Sequence, residues 1–219
     1  MNKLVKIIRR PDLIVFIICV SVFLLFPKLD LTVSNLFYRE GGFFLAEHPL
    51  AKAIYWIFAK IQALYLLVLI GLSVYFAKIK KFLELRASGF CLAVLLLGPG
   101  LIVNVGFKDN SLGRPRPVHI MEFGGKDTFT PVFHYSGACT KNCSFVSGHA
   151  ALGFYGICLF WIFRKKRWLL SSLALGTVVS FVRIIQGGHF LSDVIFAAWT
   201  VYFCCLALRP LLLKPIKHS

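Results

Sequence analysis

The sequence predicts an all-α, polytopic membrane protein: a bundle of six transmembrane helices with one interfacial segment on the outer side. Three observations predict it. Of 219 residues, 58% are hydrophobic and only 16% charged, too apolar a balance for a soluble domain of this length. The apolar residues gather in runs near the length of about twenty that a helix needs to cross hydrocarbon. The basic residues fall between those runs in short clusters, and a single compact domain spanning 1–219 fits the length.

The runs lie at 13–26, 57–77, 87–107, 148–163, 168–185 and 190–208. The first and fourth are short, and flanking Lys and Arg side chains extend such spans by snorkelling. Basic clusters stand at Lys3, Lys6, Arg9 and Arg10, at Lys78, Lys80, Lys81 and Arg86, at Arg164–Arg167, and at Arg209, Lys214 and Lys217. With six spans these four clusters share one side. The positive-inside rule makes that side, with both termini, cytoplasmic. The net charge of +16 does not point to nucleic acid, because a binding stripe would occupy one continuous face. A basic start before an apolar run also describes a signal peptide. No small-x-small cleavage site follows, and the first span is expected to stay as an anchor.

The outer side then holds 27–56, 108–147 and 186–189. Within 29–56, aromatics (Phe37, Tyr38, Phe43, Phe44, Tyr55, Trp56) alternate with Arg39, Glu40, Glu47 and Lys52, a mixture suited to the headgroup level. It reads equally as a platform that admits a lipid sideways or as a simple aromatic belt. Of seven cysteines, five sit in spans as small apolar packers. Cys139 and Cys143 lie in the long outer loop, where the compartment favours a disulfide. Two free thiols are the alternative, and no second Cys or His pair stands at zinc-binding spacing.

Three stretches on that outer side carry chemistry. In the segment from Arg183 to Asp193, His189 and Asp193 are four apart and share a helix face. The carboxylate is then expected to accept the Nδ1 hydrogen and leave Nε2 free to attack. Gly187 and Gly188 allow the tight reversal that returns Arg183 to His189. In Ser147-Gly148-His149, the serine is a good helix N-cap, and the free amides beyond it suit an anion. His149 is placed to protonate a leaving group. In Lys108 to Pro117, the prolines hold Arg114 and Arg116 extended, and lysine and arginine together suit phosphate oxygens. Taken singly, each stretch also fits a structural histidine, an ordinary cap or a basic headgroup-binding loop. Their opening on one face, by an orientation derived from other loops, favours a single site.

These motifs resemble the type 2 phosphatidic acid phosphatase superfamily, whose pattern is K-x6-R-P, then P-S-G-H, then S-R-x5-H-x3-D. Arg183-x5-His189-x3-Asp193 and Ser147-Gly148-His149 carry the likeness, over roughly residues 55–208. Val146 and Val182 replace the pattern's Pro and Ser. Five residues separate Lys108 from Arg114-Pro115 and seven separate it from Arg116-Pro117, against six in the pattern; Arg116 is preferred for the first-motif arginine. Leu29-Asp30, Phe37-Tyr38, Phe123-Gly124-Gly125 and Cys139 to Phe145 look like the branch containing bacterial lipid A phosphatases.

The resemblance implies a bacterial inner-membrane enzyme with a periplasmic site. It implies phosphoryl transfer to His189, with His149 as acid, Asp193 orienting, and Lys108, Arg114, Arg116, Ser147, Gly148 and Arg183 binding phosphate. It implies no metal or other cofactor and a phosphorylated membrane lipid as partner. Lipid A, at its 4′-phosphate, is the favoured substrate; undecaprenyl diphosphate and phosphatidylglycerophosphate are rivals. Two other classes remain at this point: an intramembrane serine protease using Ser147, and a non-catalytic binder of anionic lipid.

Overall fold

The computed structural model describes residues 10–109 and 112–213. Lys3, Lys6, Arg9, Lys214 and Lys217 of the basic clusters, and Asn110 and Ser111 of the first motif, lie outside the described residues. Helix α1 (Pro11–Leu25) stops at Phe26 because the residue before a proline disfavours helical backbone and Pro27 has no N–H to give. The chain then turns by 81° into the short helix α2 (Leu29–Asn35). A two-stranded hairpin follows (β1 Tyr38–Arg39, β2 Gly42–Phe43). Its turn uses left-handed backbone at Glu40 and Gly41, as such hairpins require.

Helix α3 (Pro49–Lys78) begins well before the expected 57. Pro49 suits a first helical position, and the His48 ring accepts the Leu50 N–H at 3.3 Å. The outer segment 27–56 is therefore not one loop but α2, the hairpin and the first turns of α3. Helix α4 (Phe82–Leu95) continues as a π-helix (Leu96–Asp109) with Pro99 inside. After the outer loop come α5 (Gly148–Phe154), α6 (Ile157–Phe163), α7 (Lys166–Ile185) and α8 (Leu191–Leu212).

Four of these stretches are long and apolar enough to cross a membrane: α3, Phe82–Asp109, α7 and α8. The predicted first and fourth spans are the two exceptions. One is a 15-residue helix that bends away, and the other is the shorter apolar stretch Gly148–Phe163. The protein is an all-α, multi-pass membrane protein built from four full-length and two short apolar elements.

Helix α5 is the hub. It packs on α3, α7, α8 and the π-helix, and Gly148 and all residues from Ala150 to Phe154 are buried. Its approach to α7 needs small residues: a Cβ on Gly153 would lie 3.0 Å from the Gly176 Cα. Helix α8 holds α1 through Phe16, whose ring meets Phe196, Trp199 and Phe203 edge-on. Helix α3 leaves Leu64, Leu67, Val68 and Val74 exposed, a face that suits hydrocarbon and would be an association hazard in water.

Arg86, Arg164 and Arg209, one described residue from each of three basic clusters, meet at one end of the bundle. There Arg86 donates to the Leu212 carbonyl at 3.0 Å, and the Arg164 and Arg209 guanidinium groups sit 5.4 and 5.2 Å from the Trp161 ring centre. The opposite end holds Lys108, His149 and His189.

Candidate active site

Three backbone hydrogen bonds stitch the motifs together. Cys143 N–H donates to the Lys108 carbonyl (3.1 Å), Ser144 N–H to that of Arg114 (2.9 Å), and Ser147 N–H to that of Asp193 (3.1 Å). The strand of chain from 143 to 147 thus runs between the first and third motifs and carries the second. Nothing in local sequence spacing demands this pairing.

His189 sits at the reversal between α7 and α8. Gly187 takes the left-handed conformation (φ +63°) that lets the chain turn back. A Cβ on Gly188 would fall 2.1 Å from an Arg183 guanidinium nitrogen, so a side chain there would push that group from its place. The His189 ring is wholly buried, and its Nδ1 lies 2.7 Å from the Ser144 carbonyl oxygen. A carbonyl has no proton to give, so Nδ1 carries the hydrogen and Nε2 keeps its lone pair. That Nε2 is buried without a partner.

The expected orienter needs correction. Asp193 Oδ2 is 3.6 Å from His189 Nδ1, too far for a hydrogen bond. It instead accepts from the Ser144 hydroxyl and from Phe190 N–H (2.8 Å), while Oδ1 accepts from Arg114 (2.7 Å). Asp193 fixes Ser144 and the start of α8; Ser144 fixes the histidine.

Arg114 is also corrected. It is fully buried. Its guanidinium donates to Asp193 Oδ1 and Asp30 Oδ2 (both 2.7 Å), to Ser192 Oγ (2.8 Å) and to the Thr130 carbonyl (2.9 Å), and it lies 4.2 Å above the Phe190 ring. Four of its five N–H donors are spent inside this network. Asp30, on α2, completes the network by accepting from Ser192 N–H and Oγ–H at 2.8 and 2.6 Å.

Arg116, two residues on, faces the other way, as alternate side chains do in an extended chain. Its Nη2 donates to both the side-chain and the main-chain oxygen of Asn142 (2.8 and 3.0 Å), and Lys108 Nζ donates to the same side-chain oxygen at 3.2 Å. Gly148 borders this pair: a Cβ there would be 3.2 Å from Lys108 Nζ. Ser147 is the N-cap of α5, its buried Oγ accepting from Ala150 N–H. No imidazole nitrogen bonds that hydroxyl among the described residues, which leaves it unactivated as a nucleophile.

Tyr55 joins the remaining two groups. Its ring stacks on His149 (4.8 Å between centres, 18° between planes), and the Arg183 guanidinium lies 4.8 Å from its centre. Arg183 also donates to Gln186. His149 Nε2 and Arg183 Nε, like His189 Nε2, are buried without partners. Burial first, and then the fields of Arg183, Lys108 and Arg116, hold the His189 imidazole well below its ordinary pKa. Burial likewise lowers Arg116 from the usual guanidinium value.

Lys108, Arg116 and Arg183 therefore surround two imidazoles whose Nε2 atoms have nothing to bond. Such an arrangement can cradle a tetrahedral oxyanion beside two open imidazole nitrogens. Cys139 and Cys143 are joined by a disulfide, Cα atoms 5.6 Å apart, which closes the loop carrying Asn142. Sequence reasoning missed Ser144, Asn142 and Asp30 as site residues and read Tyr55 only as an interfacial aromatic. Only Asp30, an acid between apolar runs, carried a readable signal.

Fold and site define a class: a multi-pass helical membrane protein with an anion cradle at one end of the bundle. Residues 87–215 match the model of the PAP2 superfamily. A lipid A 4′-phosphatase of Francisella tularensis subsp. novicida is 38% identical over 200 residues, covering 82% of this chain and 84% of that protein. Lipid A 4′-phosphatases of Rhizobium leguminosarum and Rhizobium etli are 39% and 42% identical over 107 and 106 residues. Those matches cover 48% and 47% of this chain, and 46% and 41% of the relatives. No solved structure matches the chain. The chain belongs to the PAP2 superfamily.

Proposed function

We propose that the protein is a lipid phosphatase that removes the 4′-phosphate of lipid A at the outer face of the bacterial inner membrane. The observation that carries the reading is the pair of unpartnered imidazole Nε2 atoms of His189 and His149 beside Lys108, Arg116 and Arg183.

Neutral Nε2 of His189 attacks phosphorus in line, and the ester P–O bond breaks. The leaving oxygen takes a proton from His149, whose protonated form the negative charge of the bound phosphate favours against the three cations. Lys108, Arg116 and Arg183 hold the equatorial oxygens, where charge redistributes. Water then attacks the phosphohistidine, giving its proton to His149. Inorganic phosphate leaves, and His189 is restored. Tyr55 keeps the His149 ring and Arg183 in register.

A lipid substrate fits the surroundings. An apolar cleft of about 480 Å³ opens between α3 and α7, lined by Leu50, Ala51, Ile54, Val178, Phe181 and Ile185, and Tyr55 and Arg183 line a separate pocket of about 450 Å³ with Lys52, Trp56 and Gln186. Acyl chains can lie in the apolar cleft while the phosphorylated headgroup reaches the cations. The outward orientation rests on the basic clusters at the other end of the bundle, and the substrate on the named relatives.

The test is purified, detergent-solubilised protein incubated with bisphosphorylated lipid A, products read by mass spectrometry. Loss of one phosphate from the 4′ position is expected. Intact lipid, or loss at the other position alone, would overturn the reading.

A further inference from the structure

The two cations of the first motif are not empty-handed. Lys108 Nζ and Arg116 Nη2 converge on one neutral atom, the side-chain oxygen of Asn142, at 3.2 and 2.8 Å. The oxygen assignment follows from charge: the flipped amide would turn an NH2 group toward two cations. Asn142 is exposed and holds a left-handed backbone (φ 55°). Its N–H donates to Asp109 at 2.9 Å and its carbonyl accepts from Arg116.

We infer that Asn142 is the resting occupant of the anion seat: its side-chain oxygen stands where a phosphate oxygen goes, and substrate must displace it. Resting on the phosphatase reading above, this makes Asn142 the residue that sets how strongly the site discriminates for phosphate.

The loop is built for the task. The disulfide closes residues 139–143, and both ends are clipped to the first motif, Cys139 N–H to the Gly113 carbonyl (2.9 Å) and Cys143 N–H to that of Lys108 (3.1 Å). Asn142 cannot drift far, so it returns when phosphate leaves. A single neutral oxygen satisfies the cations only in part. A phosphate dianion brings several oxygens and two charges, so exchange is favourable, at the cost of the charge-assisted bonds it breaks. An oxyanion lacking that charge, such as a sulfonate, would displace the amide poorly.

The experiment is titration of the solubilised full chain with inorganic phosphate, read by 31P NMR line broadening, which needs no turnover. Asn142→Ala should bind phosphate about 3- to 10-fold more tightly than wild type, since no competitor must leave. Asn142→Asp, a charged competitor, should bind about tenfold or more weakly. Thr140→Ala, in the same loop, should bind as wild type. Unchanged affinity in Asn142→Ala would show that the amide does not compete. Weakened affinity would make it a phosphate ligand. Either overturns the proposal. Failure of all the proteins to bind phosphate would instead overturn the reading of the site, and the proposal with it.

Discussion

The His189 ring gives its Nδ1 hydrogen to the carbonyl of Ser144 at 2.7 Å, not to the carboxylate of Asp193 one helical turn along, which stands at 3.6 Å. Asp193 acts one step back, through the Ser144 hydroxyl and through Arg114. The charge chain Asp30–Arg114–Asp193 is buried throughout, where a broken ion pair costs about 3–5 kcal/mol.

This relationship separates two substitutions. Ser144→Ala removes a hydroxyl but keeps the carbonyl, so kcat should fall by less than about tenfold. Asp193→Asn must turn an NH2 toward donors on one side or the other. It should lower kcat by about 10²-fold or more and lower the melting temperature together with it. Steady-state kinetics with thermal unfolding checks both. Equal loss in the two variants would mean that Asp193 works through the Ser144 hydroxyl alone, with no part for Arg114.

A covalent intermediate makes a direct prediction for the two histidines. Rapid quench of enzyme with 32P-labelled lipid in alkaline detergent, which preserves the acid-labile P–N bond, should trap label in the wild type and none in His189→Ala. His149→Ala should keep the nucleophile and lose about 10²–10⁴-fold in rate for substrates with a poor leaving group. It should lose much less for an aryl phosphate, whose leaving oxygen needs no proton. Label surviving in His189→Ala would remove that residue as nucleophile.

The pH dependence follows from burial. His189 is held well below its ordinary value by desolvation and by Arg183, Lys108 and Arg116, so it stays neutral as pH falls through 6.5. Its acid limb in kcat/KM should therefore lie below the ordinary imidazole value of about 6.5. Arg183→Ala removes one of the repelling charges and should move that limb upward. The same shift links to stability. A pKa lowered on folding means that the unfolded chain binds the extra proton, so stability is full above the unfolded value and is lost as pH falls below it. Kinetics between pH 4 and 8, with melting temperatures over the same range, test both signs.

Tyr55 offers the last prediction. Its ring lies against both His149 and Arg183, and the hydroxyl plays no part in either contact. Tyr55→Phe should keep near-normal turnover, and Tyr55→Leu should lose about tenfold, the scale of a stack plus a cation–π contact. Loss of activity in Tyr55→Phe would place the hydroxyl, not the ring face, in the site.

The sequence by itself determined the membrane class, the four long helices, the shared end of the basic clusters, and His149, His189, Arg183 and Lys108 as candidates. These rest on run length, charge and short-range spacing, which the chain displays one window at a time. Only the tertiary structure decided that Arg114 turns inward and Arg116 outward, that Ser144 rather than Asp193 meets the histidine, and that Tyr55, Asn142 and Asp30 join them. Each of those depends on which distant surface a side chain meets after α5 docks among α3, α7 and α8. Local spacing fixes the face of a helix on which a residue stands. It does not fix what that face touches, because the partner is chosen by packing and by the need to pair every buried charge.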